Sequence, residues 1–123
     1  MMLKVQILLS LGLAFVTGCK VTSNSVTTED ELIGNWRSQA DGLVLDLVLR
    51  DDGSYTLRHE GSGILLEQSG TWDLWREDLE RRPKDCFDRG KSVTCPDPRR
   101  EPVEVLRDRL YLGDSTRVEY QRL

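Results

Sequence analysis

The stretch GLVLDLVLR, residues 42–50, decides the fold of this 123-residue chain. Leucine occupies every second position, at Leu43, Leu45, Leu47 and Leu49. Successive side chains of a strand point to opposite faces, so this spacing predicts a strand with one buried apolar face. The DDG that follows, residues 51–53, is typical of a hairpin turn, because aspartate starts turns and glycine accepts a positive φ. Residues 54–60, SYTLRHE, resume the alternation, so the sequence predicts two antiparallel strands joined by a tight turn.

Similar short segments lie on both sides of this hairpin. We predict further strands at residues 31–37, 64–75, 103–106, 110–112 and 116–122. Gly70 interrupts one of them and predicts a bulge or a sharp bend there. Convincing helical periodicity is absent from the sequence. About seven or eight short strands therefore predict an all-β fold, either a small antiparallel meander barrel or a strongly curved sheet.

The amino-terminal residues predict export. An apolar run at residues 5–16 follows Lys4 and is too short to span a hydrocarbon core of about 30 Å as a helix. It closes on residues 16–19, Val-Thr-Gly-Cys, which resemble the lipobox of bacterial lipoproteins. The resemblance implies a signal peptide at residues 1–18, cleavage before Cys19 and attachment of lipid to the Cys19 thiol. An ordinary secretory signal, with a cysteine by coincidence near the cleavage site, is the alternative interpretation.

The residues after Cys19 bear on location. Residues 19–30 are polar without periodicity and are predicted to tether a folded domain at residues 31–123 to the lipid. Two or more acyl chains, such as palmitate, anchor a protein stably, whereas one does so only marginally. Lys20 stands where, by family analogy, an aspartate would retain the protein at the inner membrane. We therefore expect a lipid-anchored protein of the bacterial cell envelope, in the outer membrane and facing the periplasm.

The charge balance argues against nucleic acid as a partner. Removing residues 1–18 takes away one of 17 basic residues, so 16 basic residues face 21 acidic residues and the formal net charge is −5. Nucleic-acid binding depends on a basic surface that neutralises phosphates. An acidic, exported domain does not fit that requirement.

Residues 76–101 break the strand pattern. They contain 8 basic and 7 acidic residues and three of the four prolines, so we predict an excursion from the sheet. Cys86 and Cys95 form an even pair in an oxidising compartment, which predicts a disulfide closed by a turn at residues 88–90. A redox or metal-binding pair is the alternative, but the chain has no Cys-x-x-Cys, and only His59 could join as a further ligand.

Several short motifs together resemble the small bacterial lipocalin-like lipoproteins. In order, these are residues 32–36 (Leu-x-Gly-x-Trp), 52–55 (Asp-Gly-x-Tyr), 70–72 (Gly-x-Trp), 110–112 (Leu-x-Leu) and 120–122 (Tyr-x-Arg). The resemblance covers most of the mature domain. It implies a barrel that binds a small apolar ligand or a protein, and a late arginine, Arg122 or another one, stacked over Trp36.

Trp36 and Trp72 have two interpretations. They close one end of the barrel as core residues, or they line a ligand cavity; we favour the core, since a short chain fills most of its own barrel. We predict no catalytic residues, because His59 is the only histidine and no Gly-x-Ser-x-Gly accompanies it. No metal site and no cofactor are expected either.

Two functions remain from the sequence. The first is a non-enzymatic envelope lipoprotein that binds a small apolar ligand or an envelope protein. The alternative is a periplasmic protease inhibitor of the small β-barrel type. Such inhibitors also begin with a Leu-x-Gly-x-Trp strand, carry one disulfide and present an amino-terminal arm to the enzyme.

Overall fold

The computed structural model describes residues 27–123. One helical turn, α1 (Glu29–Leu32), precedes nine strands. The strands are β1 (Gly34–Ala40), β2 (Leu43–Leu49), β3 (Ser54–Gly61), β4 (Ile64–Trp75), β5 (Asp78–Asp88), β6 (Lys91–Val93), β7 (Arg99–Leu106), β8 (Arg109–Leu112) and β9 (Val118–Arg122). The predicted signal peptide, Cys19 and most of the predicted tether lie outside the described residues.

The strands form a closed antiparallel barrel. Each strand from β1 to β5 pairs with the next, β5 then pairs with β7, and β7, β8 and β9 continue the meander. β9 returns to β1 through the pairs Gln121 with Arg37 and Arg122 with Trp36. β6 is a ninth strand, attached only to the end of β5. The predicted all-β meander barrel is thus confirmed, with eight strands in the barrel and one outside its closure.

The hairpin at residues 42–60 has the predicted register. Leu49 pairs with Tyr55, Leu47 with Leu57 and Leu45 with His59, so these side chains share the inner face. The inner face is buried at the Leu49 end and becomes partly exposed toward the opposite end, at Leu43. The barrel core therefore lies toward one end of the strands.

β4 has its irregularity where the sequence predicts one. The pairing of β4 with β5 shifts between Ser69 and Gly70, and one residue of β5, Lys84, is left outside the register. A Cβ on Gly70 would lie 2.0 Å from the Arg82 carbonyl oxygen, so only glycine lets the two backbones approach this closely.

The prediction of an excursion at residues 76–101 is wrong for most of that segment. Asp78–Asp88 is a strand of the barrel that pairs with β4 along its length and with β7 at its start. The prediction fails because ion pairs take the place of apolar contacts along this strand. Glu80, for example, lies within salt-bridge distance of Arg82 and Arg100. Alternation of hydrophobicity does not detect such a strand. Only β6 and the residues that follow it, 94–98, lie outside the eight strands that close the barrel.

The predicted boundaries at the amino-terminal end are also wrong. Glu31 and Leu32 belong to α1 and not to the first strand, because Thr28 and Glu31 form a capping box that supports one helical turn. Thr27, predicted to be part of the tether, is buried, and its hydroxyl accepts a hydrogen bond from the Val105 amide at 3.1 Å. Along residues 27–123, no helix has the length and apolar character needed to cross a membrane.

Candidate functional site

One end of the barrel is filled by Trp36, and we call it the filled end. The indole of Trp36 is fully buried and its Nε1 donates a hydrogen bond to the Leu32 carbonyl at 2.8 Å. The Arg122 guanidinium carbon lies 4.2 Å from the centre of the Trp36 ring. Arg122 also donates to the carbonyls of Ile33 at 3.1 Å and Glu31 at 2.9 Å, which α1 leaves without partners at its end. Through these contacts, α1 covers the filled end of the barrel.

Trp72 lies in the same core. It is buried, and its Nε1 donates to the Arg50 carbonyl at 2.9 Å. The core around the two tryptophans contains Leu32, Leu47, Leu49, Tyr55, Leu79, Val103, Val105, Leu110, Leu112 and Tyr120. Both tryptophans are therefore core residues, and neither lines the cavity described next.

The opposite end of the barrel contains a cavity of about 270 Å³, and we call this end the mouth. The cavity lining is mainly apolar, with four polar side chains: Leu57, His59, Leu66, Glu67, Gln68, Cys86, Phe87, Val93, Thr94 and Pro96. β3 and β4 supply inner-face residues, since Leu57 pairs with Gln68 and His59 with Leu66. Five of the lining residues are exposed at the rim: Leu66, Phe87, Val93, Thr94 and Pro96.

The disulfide holds the rim of the mouth. Cys86 at the end of β5 is bonded to Cys95 after β6, with their Cα atoms 5.3 Å apart, as the sequence predicts. The chain reverses at Arg89 and Gly90, both with positive φ. The bond ties the residues that follow β6, among them Pro96, to the barrel wall. Because both thiols are consumed, the alternative of a free redox or metal-binding pair does not apply.

A polar group of side chains lies below this cavity. The Arg81 Nη2 atom is 2.8 Å from Glu101 Oε1, and the two side chains are only 11% and 20% exposed. Arg99 approaches the other oxygen of Glu101 at 3.3 Å. The Tyr55 hydroxyl donates to Gln68 Oε1 at 2.7 Å. Arg81 and Gln68 line a smaller cavity of about 180 Å³ that shares Leu57, Gln68 and Pro96 with the cavity at the mouth.

Burial changes the pKa values of the two tyrosines inside the barrel, Tyr55 and Tyr120. Removal from water raises the pKa of Tyr55 and of Tyr120, while the positive charge of Arg81 acts in the opposite direction. Both phenols therefore stay neutral at physiological pH. They take part in packing and, for Tyr55, in a hydrogen bond.

Arg81, Glu101 and Gln68 are not predicted from the sequence as site residues. Their signal is weak but present: Leu79, Arg81 and Pro83 occupy alternate positions of β5 and so share one face. Assigning residues 78–88 to a strand would have placed Arg81 inside the barrel. Within the described part of the chain, no group of three or more His, Cys, Asp or Glu side chains could hold a metal ion.

The chain was compared with protein-family models and with curated proteins, and nothing matches it.

Proposed function

We propose that this protein is a non-enzymatic, lipid-anchored protein of the bacterial cell envelope that binds a small, mainly apolar ligand in the mouth of its barrel. The observation that carries the proposal is the cavity of about 270 Å³, which lies where the tryptophan core stops. Binding sites for small molecules are concave, mostly apolar and equipped with a few polar groups. The mouth has each of these properties.

The size of the cavity sets the class of ligand. Sites for drug-sized molecules have volumes of about 300 to 1,000 Å³. The cavity at the mouth lies below that range. It suits a molecule the size of about one to three aromatic rings, or a short acyl chain. Each Å² of apolar surface that such a ligand buries contributes about 25 cal/mol.

The position of the mouth supports binding by a protein that is tethered at its amino terminus. Thr27, the first described residue, contacts Val105 and lies beside the β4–β5 turn, at the filled end. The turn at Arg89 and Gly90, at the other end of β5, lies beside the mouth. A lipid at Cys19 would therefore attach the filled end and leave the mouth open to solutes.

The test is to block the mouth without disturbing the core. Val93 lines the cavity and is 45% exposed, so Val93→Trp should fill the mouth at little cost in stability. Leu106, 47% exposed on β7, supplies the matched control Leu106→Trp away from the mouth. A neutral fluorescent probe, N-phenyl-1-naphthylamine, should bind the wild type and the control alike and Val93→Trp at least tenfold more weakly. Equal affinity for all three proteins would contradict the proposal.

The protease-inhibitor alternative stays a prediction. It requires an amino-terminal arm that reaches an enzyme, whereas the described part of that segment, residues 27–32, packs against the barrel. Nothing among the described residues favours it over ligand binding. Inhibition of a secreted metalloprotease by the purified protein would support it.

A further inference from the structure

Two buried polar atoms at the mouth have no hydrogen-bond partner among the described residues. They are Nε2 of His59 and Nε of Arg81. Buried polar groups are nearly always paired, because an unpaired one loses its bonds to water without replacement. No other buried side-chain nitrogen or oxygen in residues 27–123 is left in this state.

Both atoms belong to side chains that line the cavities of the candidate site. His59 lines the cavity at the mouth, Arg81 lines the smaller one, and the two cavities share the lining residues Leu57, Gln68 and Pro96. The location of both unpaired atoms at the cavities is informative, because the filled end contains far more buried residues and yet, among the described residues, no buried polar side-chain atom without a hydrogen-bond partner. A molecule that enters through the mouth meets an apolar lining first and the guanidinium of Arg81 below it.

The chemistry of Arg81 limits what can satisfy it. A guanidinium Nε–H can only donate a hydrogen bond and stays charged at any physiological pH, so its partner must be an acceptor. Glu101 does not meet this need: it contacts Nη2 of Arg81 and Nε of Arg99, but Nε of Arg81 makes no hydrogen bond to it. The Gln68 oxygen accepts from Tyr55 and receives no hydrogen bond from Nε of Arg81. The imidazole Nε2 of His59 can donate or accept, according to its tautomer.

We infer that the ligand of the mouth is a small amphiphile whose apolar body packs against Leu57, Leu66 and Val93 and whose head carries an acceptor oxygen for the Arg81 Nε–H. This inference rests on the proposed function and adds the chemistry of the head group. The charges nearby, Arg81 and Arg99 against Glu101 and Asp97, balance one another. A neutral carbonyl and a carboxylate therefore share the required chemistry.

The experiment compares three ligands with the same ring and different heads. Toluene, acetophenone and benzoate compete with N-phenyl-1-naphthylamine for the full chain held in lipid nanodiscs, with empty nanodiscs as the blank. We expect acetophenone or benzoate to compete at least tenfold more strongly than toluene. Benzoate above acetophenone would identify a carboxylate head, and equal competition would identify a neutral carbonyl as sufficient.

The matched variants are Arg81→Met and Arg82→Met. Arg82 is the next residue of β5, and its side chain lies on the opposite, outer face, 51% exposed. Arg81→Met should abolish the stronger competition by acetophenone and benzoate and leave the competition by toluene unchanged. Arg82→Met should leave the competition by all three ligands unchanged. Removing Arg81 leaves Glu101 with Arg99 as a partner. Arg81→Lys keeps a positive charge near Glu101 and should also lose the stronger competition by acetophenone and benzoate.

The outcomes separate this inference from the proposed function. If toluene competes as strongly as acetophenone and benzoate, water satisfies Arg81 and the inference is overturned while ligand binding stands. If the probe does not bind the wild type, ligand binding itself fails. As a readout independent of affinity, the Arg81 Nε–H resonance in NMR spectra should shift with acetophenone or benzoate but not with toluene. No shift with either ligand would overturn the inference.

Discussion

At the scale of single residues, the Gly-x-Trp motif has a steric explanation. Gly34 has φ +151°, and a Cβ there would lie 2.7 Å from Nη1 of Arg122, the guanidinium that stacks on Trp36. The glycine therefore makes room for the arginine, and the arginine covers the tryptophan. The motif near Trp72 has a different cause, because Gly70 makes room for the backbone of β5 and not for a side chain.

The first prediction concerns this contact. Gly34→Ala should lower the free energy of unfolding by about 2 to 3 kcal/mol, since it adds backbone strain and displaces Arg122 from the Trp36 ring. Gly63→Ala is the control, because Gly63 also has a positive φ, +79°, but no atom lies within 4 Å of the added methyl group. The control should cost about 1 kcal/mol. Urea unfolding measures both, and equal losses would show that Arg122 is not displaced.

The second prediction follows from burial of Tyr120. Burial raises the pKa of this phenol in the folded state, so the folded protein holds the proton more tightly than the unfolded chain does. The resulting stabilisation is complete below about pH 10, the usual tyrosine pKa, and is lost as the pH rises through the folded-state pKa. Unfolding free energies measured from pH 9 to 11.5 should fall less steeply for Tyr120→Phe than for the wild type. Parallel curves would contradict this expectation.

At the scale of elements, β5 connects the two ends of the barrel. It begins beside the filled end with Leu79 in the core and ends at the mouth with Cys86 in the disulfide. β4 pairs with it throughout, whereas its other edge is shared between β7 and β6. The disulfide therefore holds only the part of this edge that β7 does not reach.

The third prediction is that breaking the disulfide loosens the rim and not the barrel. Replacing both Cys86 and Cys95 by Ala should cost roughly 2.5 to 3 kcal/mol, from the chain entropy released in the unfolded state. Hydrogen exchange should speed up in β6 and at residues 94–98, while residues 78–82 of β5 keep their protection. Uniform loss of protection over all strands would mean that the disulfide holds the core. Affinity for the fluorescent probe should fall together with the rim's protection.

At the scale of the whole molecule, the two ends of the barrel are built differently. The filled end combines α1, two tryptophans and Arg122, and the amino-terminal segment enters the fold there. The mouth combines a cavity, a disulfide and buried charges. This division separates the expected site of attachment from the proposed site of binding.

The fourth prediction tests that separation. Cys19→Ser should abolish incorporation of labelled palmitate and release the protein from the membrane fraction, as the lipobox resemblance implies. Its affinity for N-phenyl-1-naphthylamine should stay within twofold of the wild-type value, because Thr27, the first described residue, lies at the end of the barrel opposite the mouth. Full palmitate labelling of the variant would refute the lipoprotein interpretation. A large loss of affinity would show that the anchor contributes to the site.

The sequence by itself determined the parts of this fold that depend on neighbours along the chain. Leucine alternation established β2, the DDG turn established its hairpin with β3, and two cysteines nine positions apart established the disulfide. The position of Gly70 also indicated the irregularity in β4. Each of these features is a local pattern whose cause lies within about a dozen residues.

Only the tertiary structure decided that residues 78–88 form a barrel strand and that Arg81 faces inward. An arginine at an inner position looks unfavourable in sequence, because a buried charge is costly unless it is paired. Its partner Glu101 is 20 residues away and comes within reach only when β7 pairs with β5. The cavity beside this pair depends in the same way on strands that are distant in sequence. Barrel closure, which no local pattern encodes, is the physical reason that the mouth could not be read from the sequence.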